Sequence, residues 1–562
     1  MKESANCSID PSLLEIAQGA FQRHTGLRGL DLPFPEITLQ DGFEEDEYEL
    51  TDQGLLIGSE NVLMNALGEY LRSGGTKRGR IKPAKFFRCV YLAQHFFNTY
   101  QKAPLQFLYE YMEDLALWGF NVMQTGHSTP IRYLTGPVEP TEAVLHGRKI
   151  EEYAHKIGFK FFGGGLANGG FIDTPLEFRA ADSGRGRDGR EICPNIPGGL
   201  ELIKRIHRAR AAEKQYLDYL NIWPYDEGGC GCEKCYPWGS NGMLLCGREM
   251  MKIYKEKFPD LKVVYTTWCF NYKGEHEIED IYEKLHAGEE PWIDMIMSDT
   301  HHADFNQWQL ENPLPERVKM INFPEISMWG RSPWGGFGAT PQPRRFARLW
   351  GQVCNVSSGG TLYSEGIHED FNKVLYAHFY RTGTNDWQQA ARDYAAYEFG
   401  CTEPEKFIRL LEMLEDNHAG LIWSTNEYHW QKDINIPEEW GRLKRKPHIW
   451  TDLKKKWYDA AGALALAQEI DAALPDWGRR SWRWEFFMIR AKIDAILERN
   501  NNEPDDDVEE LLKRLVEIEY LDEKQSYRAV YPRTDTWLEL PEFDYLRGEL
   551  PAEVSKDDLR WN

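Results

Sequence analysis

Residues 219–235 read YLNIWPYDEGGCGCEKC. The run 219–223 is apolar on both of its alternating faces apart from Asn221, stops at Pro224, and passes into acids, glycines and cysteines. A strand with two apolar faces needs cover on both sides, which is the situation of a parallel sheet wrapped by helices. The same unit, a short apolar run followed by a helical segment, recurs in both directions from here. Runs at 86–93, 119–124 and 158–163 precede it, and runs at 263–268, 293–297, 318–323 and 360–363 follow it. Eight such units between about residues 84 and 385 predict an α/β fold of the closed (β/α)8 barrel type. An open doubly wound sheet is the alternative, but no Gly-x-Gly-x-x-Gly follows the first run. GGGLANGG, residues 163–170, lacks that spacing and the lysine of a phosphate-binding loop, and reads as a loop at the barrel mouth.

The segments on either side follow other periods. At the N-terminus, residues 11–24 carry apolar residues near helical spacing and lead into a loop rich in proline and acids. Tyr48 and Leu50 alternate with polar residues, Leu55 and Ile57 stand two apart on one face, and Asp52–Gly54 supplies the turn between, which predicts a hairpin; 61–72 predicts a helix stopped by Gly74 and Gly75. Beyond Trp387 the pattern is wholly helical, with segments at 387–399, 403–414, 453–474, 482–499 and 507–520 and an acidic, aromatic tail. The expected organisation is a small α/β domain over 1–80, the barrel over 81–386 and a helical domain over 387–562.

The chain has 562 residues, and 66 lysines and arginines face 89 aspartates and glutamates, a formal charge of −23. That balance argues against nucleic acid as a partner, since polyanions require a basic face. No stretch approaches a membrane-spanning length of apolar residues, and MKESANCSID lacks the pattern of a signal peptide, so no membrane association and a cytoplasmic location are expected. Twenty Trp, 27 Tyr and 27 Phe make 13% of the chain; such rings offer flat apolar faces for the C–H faces of sugars, and equally fill large cores. The long acidic helices and the aromatics are compatible with a homodimer.

In a barrel the reactive groups stand where strands end. The first five strand ends carry His95 and Asn98, then His127, then Asn168 and Asp173, then Asp226 and Glu227, then Trp268 and Asn271; the last three carry Asp299 with His301 and His302, then Glu325 and Trp329, then Glu365 and His368. Cleavage of a glycosidic bond needs one protonated carboxyl at the leaving oxygen and an anion opposite it. Asp226 or Glu227 after strand four, with Glu325 after strand seven, meets that requirement. His95, His127, Trp268, Asp299, His301, Trp329 and Glu365 are the expected substrate-binding residues. The adjacent acids 226 and 227 permit a second arrangement, in which one orients the acetamide of an N-acetylhexosaminide so that the substrate is its own nucleophile. No cofactor is expected for catalysis. Any single acid at a strand end is as readily a helix cap.

Cys230, Cys232, Cys235 and Cys246 crowd into one short stretch, while ten cysteines in the whole chain are too few for a disulfide scaffold. Four thiolates at this density suit a structural zinc, free packed thiols and a redox centre being the alternatives. A bound ion would brace the loop that presents Asp226 and Glu227.

Several of these stretches resemble one group of enzymes. DEYELTDQGLLIGSENVLMNALGEYLR (46–72) is similar to the small domain that precedes the barrel in β-N-acetylhexosaminidases, α-glucuronidases and α-N-acetylglucosaminidases. RCVYLAQHFFNTY (88–100) and LALWGFNVM (115–123) resemble the opening of that barrel, and IWPYDEGGCGCEKC (222–235) and YSEGIHEDFNK (363–373) resemble bacterial proteins of glycoside hydrolase family 163. The resemblance implies exo-acting hydrolysis of an oligosaccharide, with a terminal N-acetylhexosamine or uronic acid as the sugar released. It places the general acid at Asp226 or Glu227, and maps the α-glucuronidase anions onto Asp299 and Glu325. The His-x-Gly-Gly motif of hexosaminidases is missing, and the N-terminal domain is short. Uronate recognition calls for a cation such as Arg132 or Arg331. A catalytically silent carbohydrate-binding barrel and a metal-dependent lyase or epimerase are the competing readings.

Overall fold

The computed structural model describes residues 9–94, 99–125, 129–140, 142–181, 190–224, 229–271, 275–299, 305–326, 341–364, 366–418, 457–501 and 505–520. The first helix, Pro11–Arg28, opens on a proline and is capped by Asp10, whose carboxylate accepts from the Ser12 amide at 2.7 Å. Four strands follow: β1 (Glu36–Leu39), β2 (Tyr48–Leu50), β3 (Gly54–Ile57) and β4 (Gly79–Ile81), in the order β1-β3-β2-β4. β2 and β3 form the expected hairpin, and helix Leu63–Arg72 comes after it. The two edge strands are additions to the sequence reading. β1 runs parallel to β3 and β4 antiparallel to β2; β1 alternates Ile37 and Leu39 with polar residues over only four positions and β4 has three residues, too short a pattern to stand out in the sequence.

Eight parallel strands then close into a barrel. They are β5 (Phe87–Leu92), β6 (Val122–Thr125), β9 (Lys160–Leu166), β10 (Tyr219–Trp223), β11 (Lys262–Thr266), β12 (Met295–Asp299), β13 (Lys319–Phe323) and β14 (Ser357–Ser364); β14 pairs back onto β5. A two-stranded hairpin, β7 (Ile131–Arg132) and β8 (Gly136–Pro137), sits in the connection after β6. Alternation along each strand sends one set of side chains inside, among them Phe87, Phe162, Tyr219, Met297 and Ile321, and the other set outward onto the helices. The fold class expected from the eight apolar runs is the one observed.

One correction concerns the glycine run. Gly163 to Leu166 belong to β9 rather than to a loop. Gly164 has φ of +154°, and a Cβ there would lie 2.1 Å from the Asn221 carbonyl oxygen, so the strand can lie against β10 only because the position carries no side chain.

Helices Trp387–Phe399, Pro404–His418, Ala460–Ala473, Trp482–Arg499 and Asp506–Tyr520 complete the described chain. Buried charge joins them to the rest. Arg483, on the fourth of these helices, bonds Asp370 at 2.7 Å and Asp114 at 2.8 Å and stands 3.5 Å from Glu398. Asp114 also takes Arg23 and His24 of the first helix, each at 2.9 Å, and Glu398 takes Arg28 at 3.2 Å. One apolar core runs through all three regions, from Leu13 and Leu67 through Leu115 and Phe371 to Phe487. No described helix is long and apolar enough to cross a membrane.

Candidate active site

The C-terminal ends of the barrel strands carry an aromatic floor. Trp223 at the end of β10 lies 5.4 Å from Trp268, just beyond β11, and 5.4 Å from Phe323 at the end of β13. Trp268 and Phe323 meet edge to face at 5.2 Å; Tyr363 on β14 continues the arc at 6.2 Å from Phe323 and 5.3 Å from Tyr91 on β5. All five stand on inward positions, because side chains two apart on a strand share a face. Below this layer the interior also carries polar groups among its apolar ones: Thr266 donates to Asn221 at 2.8 Å, and Thr361 reaches Cys89 at 3.0 Å and Gln124 at 3.4 Å.

Glu325 stands on the rim of that floor. It lies two residues past Phe323, where the backbone is still extended and bridges to Tyr363 in parallel. The Tyr363 amide donates to Pro324 O at 3.1 Å and the Ile326 amide to Tyr363 O at 3.4 Å, so the backbone is held on both sides of the acid. Its side chain is 6% exposed. Strand alternation puts it on the same inner face as Phe323. A carboxylate so withdrawn from water, on the strand end that carries Phe323, can act as an anion or a proton acceptor on a ligand seated over the rings.

Of the residues expected at the site, Glu325 and Trp268 fall within this arrangement. Asp299 ends β12, in register with Phe323. His95, His127, Asp226, Glu227, His301, His302, Trp329, Arg331, Asn98 and Glu365 lie outside the described residues. Three other polar residues at strand ends hold backbone. Asn168 donates to Ile192 O at 3.1 Å, Asp173 accepts from the Tyr133 amide at 2.6 Å, and Asn271 binds Glu279 at 2.7 Å and the Ile278 amide at 3.2 Å.

Further groups at the mouth escape the sequence reading. Trp223 and Tyr363 were hidden inside apolar runs, where a ring that lines a mouth looks like any core residue. Gln94, two residues beyond β5, is 2% exposed, and among the described residues neither atom of its amide has a hydrogen-bond partner. Such a group is costly unless something satisfies it. Behind the end of β14, Glu369 is buried 3.4 Å from His368. Burial works to raise its pKa, yet His368, Lys373 and Ser364 outweigh that and hold the carboxyl below its ordinary value.

The cysteines need a second correction. Cys230, Cys232 and Cys235 do cluster, but their fourth neighbour is Cys193; the four sulfurs lie within 4.8 Å of one another. Cys246 is buried one turn into helix Gly242–Lys257, outside that group.

No protein-family model and no curated protein sequence matches the chain. Solved structures share its fold. A family 89 glycoside hydrolase from Clostridium perfringens, bound to 2-acetamido-1,2-dideoxynojirmycin, superposes with a TM-score of 0.58 at 12% identity, over 100% of this chain and 74% of that one. The same organism's enzyme in complex with GlcNAc-alpha-1,4-galactose gives 0.57 at 13% identity, over 90% of this chain; the chain spans 64% of that protein's length. A family 138 glycoside hydrolase targeting pectin rhamnogalacturonan II gives 0.51 at 10% identity, over 94% of this chain and 74% of that one. At these identities the likeness is one of architecture: a (β/α)8 barrel shared with glycoside hydrolases.

Proposed function

We propose that this protein is an exo-acting glycoside hydrolase that releases a terminal N-acetylhexosamine or uronic acid residue from oligosaccharides. Glu325 serves as nucleophile or base, and Asp226 or Glu227 serves as the acid. The observation that carries this reading is the buried carboxylate of Glu325 on the rim of an aromatic floor built from Trp223, Trp268, Phe323 and Tyr363. A sugar ring lying on that floor buries its C–H face, and its anomeric carbon comes within reach of the rim.

The pairing of strands four and seven has a second support. Trp223 and Phe323 touch across the interior at 5.4 Å, so the ends of β10 and β13 converge on one point. Asp226 and Glu227 follow Trp223 by only three and four residues in sequence. A separation of about 5 Å between the two carboxyls gives retention and about 6.5–9.5 Å gives inversion. With an N-acetylhexosaminide, the adjacent acids allow the acetamide route as well. Proton NMR of the first-formed anomer separates inversion from the two retaining routes. N-acetylglucosaminides head the panel to be tried, because a family 89 structure of this architecture was solved with GlcNAc-alpha-1,4-galactose.

The test is the Glu325→Gln variant, assayed on nitrophenyl N-acetylhexosaminides and glucuronides. Its circular dichroism should match the wild type, while kcat/KM falls about a hundred- to ten-thousand-fold. Undiminished turnover in a folded variant would remove Glu325 from the chemistry.

A further inference from the structure

Cys193 stands in the connection between β9 and helix Gly199–Glu213, while Cys230, Cys232 and Cys235 stand between β10 and helix Gly242–Lys257. The four sulfurs come together because β9 and β10 are neighbours in the barrel, paired from Phe162–Tyr219 to Leu166–Trp223. Cys193 Sγ lies 3.8 Å from both Cys232 Sγ and Cys235 Sγ. That is nearly twice the length of a disulfide, about 2.05 Å. It equals the edge of a tetrahedron of sulfurs around zinc, since a Zn–S bond of about 2.3 Å implies an S···S edge of about 3.8 Å. Three of the four cysteines are buried and Cys232 is partly exposed.

The surroundings fit a charged sulfur centre. Asn195 donates its amide to Cys235 Sγ at 3.1 Å, the kind of outer hydrogen bond that steadies a thiolate ligand. The Cys235 and Tyr236 amides both donate to Cys232 O, at 2.9 and 3.0 Å, folding the Cys-x-x-Cys segment into a tight turn that aims two sulfurs the same way. Trp238 backs the turn so closely that a Cβ at Gly229 or Gly242 would meet its ring at 2.3 Å.

We propose that Cys193, Cys230, Cys232 and Cys235 form a tetrathiolate zinc site that staples the loop after the third barrel strand to the loop after the fourth. All four positions around the ion are filled by protein, so the site is structural rather than catalytic. Binding sends the thiol protons to solvent and leaves zinc with four thiolates. The staple joins two segments that already meet through Gly231 N to Ala181 O at 3.0 Å and Asn168 Nδ2 to Gly229 O at 3.5 Å. It fixes the chain from Gly229 onward, which follows Asp226 and Glu227 in sequence, lowering the entropy cost of ordering that loop. Cys246 takes no part.

The experiment uses the full chain purified under reducing conditions from zinc-supplemented medium. Elemental analysis should find about one zinc per chain, and X-ray absorption at the zinc edge should show four sulfur neighbours near 2.3 Å. Cys193→Ser should lose the ion, or weaken its hold against a chelator by at least tenfold, while Cys246→Ser keeps it. Should Cys193→Ser not fold, the absorption spectrum of the wild-type protein decides alone. A chain that neither carries zinc nor takes it up on titration overturns the proposal. So does an ion with fewer than four sulfur neighbours, an iron–sulfur absorption band, or loss of zinc in Cys246→Ser with retention in Cys193→Ser. None of these readings depends on glycosidase activity, so the site and the proposed function stand or fall separately.

Discussion

Arg483 is where the C-terminal helices grip the barrel, and its loss tests how much of the fold hangs on buried charge. Its guanidinium meets Asp370, Asp114 and Glu398 at 2.7, 2.8 and 3.5 Å, with every partner side chain no more than 8% exposed. Arg483→Met keeps most of the stem and removes the charge. Three buried carboxylates then share what remains. Asp114 keeps Arg23 and His24, Glu398 keeps Arg28 and Trp118, and Asp370 keeps the hydroxyls of Tyr111 and Tyr394 at 2.8 and 2.9 Å. Removing one partner of a buried pair costs about 3–5 kcal/mol, and the surviving donors place this case near the lower end, about 3 kcal/mol. Among the described residues Asp370 then keeps only the neutral hydroxyls of Tyr111 and Tyr394, so Asp370→Asn in the Arg483→Met background should restore about 1 kcal/mol or more. The loss should also fade in acid. Burial opposes ionisation of Asp114, but Arg23, Arg483 and His24 hold its carboxyl well below the ordinary 3.8. A depressed carboxyl contributes stability that is complete above its unfolded pKa and is lost as pH falls through the folded one. The variant forfeits part of that contribution, so its deficit should be full at pH 7 and should shrink below about pH 4. Urea unfolding followed by tryptophan fluorescence, which senses Trp482 and Trp484 beside the variant position, measures both effects. A deficit under about 1 kcal/mol at pH 7, or a double variant weakened by the simple sum of its parts, would refute the reasoning.

Two further outcomes are expected. Trp223→Ala should raise KM for an aryl glycoside and lower kcat/KM about tenfold, equivalent to about 1.4 kcal/mol of lost ring contact, with little change in kcat at saturation; an unaltered KM would take the ring out of substrate binding. Burial pushes His207 down to about 3 and His378 down to about 4, with Arg210 and Arg381 acting in the same sense. Both stay neutral when folded while the unfolded chain takes up protons below about 6.5, so their stabilising contribution is whole above that pH and declines beneath it. Melting temperature should therefore fall between pH 6.5 and 5, and His207→Gln should flatten part of the slope; the same slope in that variant would acquit His207.

What was legible in the sequence follows from burial. A strand covered on both faces has to be apolar throughout, so all eight barrel strands could be read as runs, and β10 matches its run end to end. Helices Trp387–Phe399 and Trp482–Arg499 also match, the first because Gly400 ends it in the left-handed region. β1 and β4 went unread because four and three residues are too short for their pattern to stand out. Glu325 was visible because an acid directly after an apolar strand is out of place in a core. Asn168, Asp173 and Asn271 looked equally functional and bind backbone or cap a helix, since polar groups at strand ends serve the chain as often as a ligand. Cys193 was invisible for a different reason: its nearness to Cys235 is a product of strand neighbourhood in a closed sheet, which spacing along the chain does not encode.

The charge cluster and the barrel mouth are parts of one structure, and β14 is where they meet. Ser364, its last residue, bonds the Tyr100 hydroxyl at 2.6 Å, and that hydroxyl reaches Gly366 O at 3.0 Å. Lys373 binds the same carbonyl at 2.6 Å and the Tyr111 hydroxyl at 2.9 Å; Tyr111 in turn donates to Asp370, which holds Arg483. An unbroken chain of hydrogen bonds thus runs from a helix far along the sequence to the strand whose Tyr363 pins the backbone around Glu325. Each link is buried, so releasing any one leaves a polar group without water to replace its partner. Ordinary helix packing would have fastened the C-terminal region to the barrel without any of these groups. Their position against β14 fixes the height and angle of a strand end on the rim, and in the proposed reaction an acid that meets a sugar at a set distance gains most from a rigid support at that point.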